Sequence, residues 1–231
     1  MRRGINRSSR WRCSIALTDQ KGGERLDRIP VVKGEIRIAD RAYLQPDRMA
    51  AVLAADADIV VRAGWKGARW LDAEGAPFDL LAALRAAEAE GLIDRPVWIA
   101  RKGNPPLRLR LVAVRKPEQA AETARRKARH AARRGGHQIS KGTLAAAGWI
   151  ILVTSLPTAT FATDEVLALY RLRWRIELAF KRLKSLIGLK GPPGSDERSA
   201  RPFVLAHLLI ILLLEPLVDE FEDSPRWASA A

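Results

Sequence analysis

The sequence predicts a mixed α/β fold. Segments in which apolar and polar residues alternate, a pattern typical of half-buried strands, are interspersed with segments of helical periodicity. Apolar residues make up 48% of the 231 residues, which is enough to fill the core of one domain, or of one domain with an insertion, and excludes a disordered chain. We detect no internal repeat, so a solenoid is not expected.

The N-terminal part of the chain predicts two strands and a helix. The first strand covers residues 14–21 and ends at a Gly-Gly turn. The second, over residues 35–40, has two isoleucines on one face and ends at Asp40. Pro46 suits the first turn of the helix that follows, because the proline nitrogen needs no hydrogen-bond partner there.

The middle of the chain continues this alternation. A β-rich run over residues 57–65 precedes a helix over residues 77–91, which Gly91 closes as a C-cap. Two further strands are predicted over residues 97–101 and 107–117.

The C-terminal part is predicted to be mainly helical. Residues 118–142 are rich in alanine and arginine and predict a helix that ends at a Gly-Gly pair. A strand over residues 148–157 precedes a long helix over residues 164–186, which begins with a Thr-Asp-Glu start signal. A last apolar helix is expected to end near residue 221.

The charge of the chain narrows its possible partners. Lys and Arg number 40 against 26 Asp and Glu, which gives a net charge of +14. A strongly cationic protein most often binds a polyanion such as nucleic acid, and nonspecific charge-driven adhesion is the alternative. Cys13 is the only cysteine, which excludes a disulfide scaffold and a multi-cysteine zinc site and fits a reducing cytoplasm.

The longest apolar run predicts a buried helix. It covers residues 203–214 and is shorter than the roughly 20 residues that span a bilayer, so we expect no membrane association. The basic residues at the N-terminus are not followed by an apolar segment, and the sequence therefore predicts no secretory signal and a cytoplasmic protein.

The long helix carries the most informative pattern. At about 100° per residue, one part of its surface collects five polar residues, namely Tyr170, Arg173, Glu177, Lys181 and Lys184. A carboxylate flanked by cations one and two turns away is suited to bind a metal ion while the cations hold phosphate groups. The alternative is a solvated helix face with ordinary i,i+4 salt bridges.

Two motifs resemble a known family. The spacing Tyr170-x2-Arg173-x3-Glu177-x6-Lys184, within YRLRWRIELAFKRLKS, resembles the Tyr-Arg-Glu-Lys signature of DDE transposases from bacterial insertion sequences. Upstream, IADRAY resembles the segment that carries this family's second catalytic aspartate, here Asp40. The resemblance implies a ribonuclease-H-like mixed sheet with flanking helices and a β-strand-rich insertion before the glutamate helix.

The resemblance also implies a division of the chain. Residues 1–57 would form an incomplete N-terminal part of the catalytic core, and residues 58–147 the β-rich insertion with its basic helical segment. Residues 148–221 would complete the core, and residues 222–231 would be a tail.

The chemistry that the resemblance implies is metal-dependent cleavage and transfer of DNA strands. Asp40 and Glu177 would be two of three carboxylates that hold two Mg²⁺ or Mn²⁺ ions. Four side chains would contact the DNA backbone near the cleaved phosphate, namely Tyr170, Arg173, Lys181 and Lys184. The implied partners are double-stranded DNA at the transposon ends and the target, and a second copy of the chain in a homodimer. The implied location is the bacterial cytoplasm, on the nucleoid when DNA is bound.

Three further features each have two interpretations. Trp149 corresponds to a position where some relatives stack a tryptophan on an unpaired base, although a strand tryptophan facing the core is the alternative. Arg62 resembles a family arginine near the active site, or is an ordinary strand arginine. The cations of residues 125–141 would either follow DNA phosphates or form a solvated helix face.

The sequence departs from the family pattern at the first catalytic aspartate. In relatives this residue lies on an earlier strand, and we interpret Asp19 as a turn residue rather than a substitute. We therefore expect the C-terminal portion of a transposase, incompetent for catalysis alone and prone to aggregate through an uncovered sheet edge. The alternatives are a non-catalytic DNA-binding transposase remnant and a basic protein without a specific partner.

Overall fold

The computed structural model describes residue 26, residues 29–186, and positions 198, 201–203, 205–207 and 209–210. The strand expected at residues 14–21, the residues Cys13 and Asp19, and the expected tail lie outside the described residues. The chain divides into two compact units, Met1–Tyr170 and Arg171–Ala231, which we describe separately.

The described residues of the first unit form six strands in one mixed sheet, namely β1 (Ile36–Ala39), β2 (Asp58–Arg62), β3 (Trp70–Leu71), β4 (Leu92–Arg101), β5 (Asn104–Arg115) and β6 (Trp149–Thr154). Their order in the sheet is β1-β2-β6-β5-β4-β3. β1 and β2 are parallel, and every other neighbouring pair is antiparallel. With its flanking helices, the sheet confirms the mixed α/β class and is compatible with a ribonuclease-H-like fold.

Within residues 29–186, five α-helices connect or follow these strands, and each of three helix starts is fixed by a side-chain acceptor. The Asp79 carboxylate accepts the Ala82 N–H at 3.0 Å, and the Ser140 hydroxyl accepts the Thr143 N–H at 3.2 Å. The Glu165 carboxylate accepts the Ala162 N–H at 2.7 Å, which is half of a capping box. The helices are α1 (Pro46–Ala54), α2 (Leu80–Ala86), α3 (Glu118–Arg134), α4 (Lys141–Ala147) and α5 (Thr163–Leu186), with a short 3₁₀ helix at Arg41–Tyr43.

The sheet is covered on both faces, because successive residues of a strand point to opposite sides. On one face Ile59 and Val61 of β2 pack in the larger core with Met49 of α1. On the other face Val60 packs with Val166 of α5. All five side chains are fully buried, so β2 is a central strand held from both sides.

Most of the expected elements are confirmed, with four corrections. The two-residue strand β3 was not expected, and neither was α4 as a helix separate from α3. The α2 helix ends at Ala86, before Gly91, whose φ of +70° belongs to the turn into β4. β4 begins at Leu92 rather than at residue 97, because Pro96 is accommodated within the strand.

The apolar run that begins at residue 203 is helical at the described positions. The expectation that it is buried is wrong at Leu205 and Leu209, which are 51% and 60% exposed and lie four residues apart on one side of a helix. None of the helices in the described part of the chain is long and apolar enough to cross a membrane.

Candidate active site at the ends of β1 and β2

The parallel pairing of β1 and β2 brings their carboxyl ends to one edge of the sheet. Ala39 pairs with Val61, so Asp40 and Arg62 follow at the same level on neighbouring strands. The Asp40 carboxylate accepts the backbone N–H of Arg41 at 2.7 Å and caps the 3₁₀ helix. Asp40 therefore has the strand-end position that the sequence predicts, and it also serves as the turn residue of the alternative interpretation.

Arg41 connects several of the residues at this edge. Although the residue is exposed as a whole, desolvation of its guanidinium by nearby protein atoms lowers the pKa, and the neighbouring charge of Arg62 lowers it further. Asp40 and Tyr170 act in the opposite direction and raise the pKa. The structure thus brings three of the residues selected from the sequence together around a fourth, Arg41, that the sequence analysis did not select.

Arg62 has an incomplete set of hydrogen bonds. Its Nε atom is buried and has no acceptor among the described residues. A buried donor without a partner costs about 1–3 kcal/mol, and more when the group is charged, so such groups call for an explanation beyond folding. An anionic ligand that supplies the missing acceptor is the simplest one.

Lys116 adds a third cation, directly after β5. Its Nζ donates to the carbonyl oxygen of Ala147 at 2.7 Å, at the C-terminus of α4, where a cation is favourable. Burial lowers the pKa of Lys116 from 10.5 to about 8, and the charges of Arg62, Arg41 and Arg125 contribute to this shift. Lys116 therefore lies in an environment with an excess of positive charge.

Gly148 lets α3 approach this edge closely. A Cβ atom at Gly148 would lie 3.3 Å from Nη2 of Arg125, so any larger residue would crowd the guanidinium. The next residue, Trp149, is 5% exposed and belongs to the larger core. Trp149 thus has the position of a strand tryptophan that faces the core. A DNA base could stack on the indole ring only after the ring had left the core. Its role in DNA binding stays a prediction.

The remaining residues of the signature lie on α5, which is one continuous helix over all of them. Tyr170 is half-buried against the smaller core, and Arg173 is half-buried in the second unit. The side chains of Glu177, Lys181 and Lys184 lie outside the described residues. Their roles stay predictions.

Two residues of this edge, Arg41 and Lys116, were not predicted from the sequence. Arg41 carried a signal, because it follows Asp40 directly within IADRAY. Lys116 carried none, since it belongs to no motif, and only the pairing of β5 with β6 brings it to this edge. The described residues hold no group of three or more His, Cys, Asp or Glu side chains that could bind a metal ion.

The arrangement defines a class of site. A carboxylate at a strand end lies at the same edge of the sheet as two arginines and a lysine, which suits a phosphate-bearing substrate and a reaction at phosphorus. Residues 18–213 match the family model described as the transposase DDE domain, and the chain belongs to this family.

Curated relatives from Escherichia coli agree with the family. The transposase for insertion sequence element IS421 is 38% identical to this chain over 214 residues. The InsL protein of insertion sequence element IS186A, from strain K12, has the same identity over the same length. Each alignment covers 90% of this chain, and the chain spans 58% of the length of either relative.

Proposed function

We propose that the protein is the transposase of an insertion sequence, of the class that binds transposon-end DNA and catalyses metal-dependent strand cleavage and transfer, and that the first of the three catalytic carboxylates is missing from this chain. The observation that carries this proposal is the enclosed Nε of Arg62 at the level of Asp40, on the ends of two parallel strands. The proposal is supported by the family match and by relatives that are named for insertion sequences.

Asp40 and Glu177 would be two of the three carboxylates that hold two Mg²⁺ or Mn²⁺ ions, because carboxylate oxygens are the ligands that these hard cations prefer. The chemistry that such ions would supply is activation of the attacking oxygen and stabilisation of the leaving oxygen in an in-line displacement. The residues 58–147 would be the family's β-rich insertion, placed between the segments that carry the two carboxylates.

The cations of the edge would bind and orient the DNA strand. Arg62 would donate from Nε to a phosphate oxygen, and Arg41 and Lys116 would neutralise the same phosphate or the next one. On α5, Tyr170, Arg173, Lys181 and Lys184 would hold the strand in line for displacement. A homodimer would pair two transposon ends on the bacterial nucleoid.

DNA binding without cleavage is the second candidate function. It is favoured by the same edge, because Arg62 and Lys116 would hold a phosphate without any contribution from a carboxylate. The cap that Asp40 provides for the 3₁₀ helix gives this residue a structural role as well.

One assay separates the two candidates. A duplex carrying the DNA that flanks this reading frame is incubated with the protein and Mg²⁺ or Mn²⁺, and both binding and strand cleavage are measured. Asp40→Asn and Glu177→Gln should each reduce cleavage by at least about 100-fold, because a metal ligand is removed, while binding is kept. The control is Asp56→Asn, an exposed position with a φ of +56° that asparagine adopts readily.

The outcomes are distinct. Cleavage that survives in Asp40→Asn would overturn the assignment of this carboxylate. Binding without cleavage in the unmodified protein, unchanged in Asp40→Asn, would favour the second candidate. Absence of any preference for the flanking duplex over random DNA would favour a basic protein without a specific partner.

A further inference from the structure

The surface of α3 divides into three parts. Ala121 and Ala132 are buried and face the rest of the unit. Beside them runs a ridge of ion pairs, in which Arg125 contacts Glu118 at 2.7 Å and Arg129 contacts Glu122 at 2.9 Å. These pairs use both acidic residues of the helix.

The third part is opposite the buried alanines and contains four exposed cations. No ion pair joins any of the four to another residue within the described part of the chain. At 100° per residue they fall within an arc of about 120°, and they extend along about 12 Å of the helix axis. We call this surface the α3 basic face, and it consists of Arg126, Lys127, Arg133 and Arg134.

Like charges are crowded along α3, although the helix dipole favours two of them, Arg133 and Arg134, in the last turn. Arg126 and Arg129, like Arg129 and Arg133, are neighbours at i,i+3 and i,i+4 spacing, where like charges repel. Of these three arginines, Arg129 alone has an acidic partner within the described part of the chain. A surface that concentrates unpaired cations gains from binding a polyanion that releases this repulsion.

The dimensions fit duplex DNA. A duplex presents one phosphate charge per roughly 1.7 Å of axis, so a 12 Å span offers about seven charges to four cations. The α3 basic face has no large apolar side chain, which a helix that inserts into a membrane surface would need. The exposed face of α3 therefore favours a nucleic acid backbone.

We propose that the α3 basic face is a second DNA-contacting surface, which binds the duplex backbone without reading its sequence. It is separate from the edge with Asp40, because Arg125, the α3 residue that reaches that edge, points away from the α3 basic face. The proposal rests on the proposed function in one respect, the choice of DNA as the natural polyanion.

The test is the salt dependence of binding to a random-sequence 20-base-pair duplex, measured by fluorescence anisotropy. The triple variant Arg126→Gln, Arg133→Gln, Arg134→Gln keeps good helix formers at exposed positions, so the fold should be retained. The slope of log K against log salt should become shallower by about 0.9 for each phosphate that is no longer neutralised, up to about 2.7 in total. Affinity near 100 mM salt should fall on the order of tenfold for each phosphate contact that is lost.

The matched control removes three exposed cations elsewhere in the same unit, with Arg69→Gln, Arg85→Gln and Lys102→Gln. Its net charge equals that of the test variant, so a general charge effect would change both slopes equally. Equal slopes in the two triple variants would overturn the proposal. A poly-glutamate peptide that binds the α3 basic face more tightly than the duplex would also overturn it, in favour of an acidic protein partner.

The proposal and the enzymatic function can fail independently. A shallower slope in the test variant, with no cleavage by the unmodified protein, would leave the α3 basic face standing without the enzyme. Metal-dependent cleavage together with an unchanged slope would keep the enzyme and remove the α3 basic face.

Discussion

Two arginines of one sheet, Arg110 and Arg62, differ in how their buried nitrogen atoms are hydrogen-bonded. Arg110 of β5 is buried and forms a two-pronged ion pair with Asp94 of β4, at 2.8 Å from Nε and 2.6 Å from Nη2. Its Nη1 donates to the Phe161 carbonyl oxygen at 2.7 Å, and the Thr163 hydroxyl donates to Asp94 as well. Arg62 of β2 keeps its Nε buried without an acceptor in the described residues.

The difference distinguishes a structural arginine, Arg110, from the arginine that we propose binds a ligand, Arg62. The Arg110 network joins two strands to the loop before α5 and to the first residue of that helix, and it leaves little of the guanidinium for a ligand. The desolvation of the buried Nε of Arg62 is not offset by a hydrogen bond within the described residues, so it lowers the stability of the fold. Such a cost is commonly retained where a bound group completes the hydrogen bond.

The largest effect is expected from breaking the Arg110 pair. Asp94→Asn would leave a buried guanidinium without its counter-charge and should lower the free energy of unfolding by about 3–5 kcal/mol. The Arg110 hydrogen bond is the main cause that holds the pKa of Asp94 below its ordinary value of 3.8. The contribution of the pair should therefore be complete above about pH 4 and should disappear as the pH falls below that value.

Urea unfolding at about pH 7 and about pH 3 measures both effects. Asp56→Asn removes an exposed carboxylate paired with Lys33 and should change the free energy of unfolding by less than about 1 kcal/mol. If the free energy of unfolding decreases no more in Asp94→Asn than in this control, Arg110 does not have the structural role that distinguishes it from Arg62.

The second largest effect is expected from Arg62→Met, which should not destabilise the protein as Asp94→Asn does. Arg62→Met removes a buried donor that has no acceptor, so the free energy of unfolding should stay within about 1 kcal/mol of the parent or increase. DNA affinity should fall about tenfold or more, because hydrogen bonds to charged groups contribute about 1.5–3 kcal/mol. The same change at the paired position, Arg110→Met, should reverse the pattern, with reduced stability as the main effect.

Both variants are compared by urea unfolding and by duplex binding. A strong destabilisation in Arg62→Met would indicate that this side chain has a structural partner after all. A DNA affinity in Arg62→Met equal to that of the parent would remove Arg62 from the candidate site.

The smallest effect concerns Lys116 and pH. Its pKa is about 8 in the folded protein and 10.5 in the reference state, so the unfolded chain binds more protons between these values. The free energy of unfolding should therefore rise as the pH increases from about 8 to about 10.5. Lys116→Gln should abolish this part of the rise, whereas Lys33→Gln, at an exposed lysine, should keep it. Unfolding curves at about pH 7.5, 9 and 10.5 test it, and identical pH profiles for all three proteins would contradict it.

The strands and the long helices were predictable because their patterns are local. The alternation that ends at Asp40, the proline that opens α1 and the start signal of α5 are each contained in a few residues. The strand β3 was not predictable, because Trp70 and Leu71 are too short a run for any periodicity. The helix α4 begins at a serine cap, Ser140, but the sequence around it was included in the basic segment of residues 118–142, so α4 was not predicted as a separate helix.

The candidate site was only partly predictable for a related reason. Asp40 and Arg62 are recognised from a resemblance, and the parallel register of β1 and β2 then brings them together. The position of Lys116 depends on which strand lies between β2 and β5, which is a property of the sheet order alone. The sequence contains the residue but no local sign of its neighbours.

The strand β6 lies between β2 and β5 and so sets the spacing between the two parts of the charged edge, Asp40 with Arg62 on one side and Lys116 on the other. Leu152 pairs with Arg62 on one side and with Val112 on the other, so backbone hydrogen bonds fix how far Lys116 lies from Asp40. An insertion or deletion of two residues within β6 would shift β5 relative to β2 by about 7 Å along the strand direction. This is roughly the spacing between neighbouring strand residues on one face of a sheet. Insertions and deletions should therefore be tolerated in the segment between α3 and α4 and rejected within residues 149–154, where they would alter the spacing of charges without touching any charged residue.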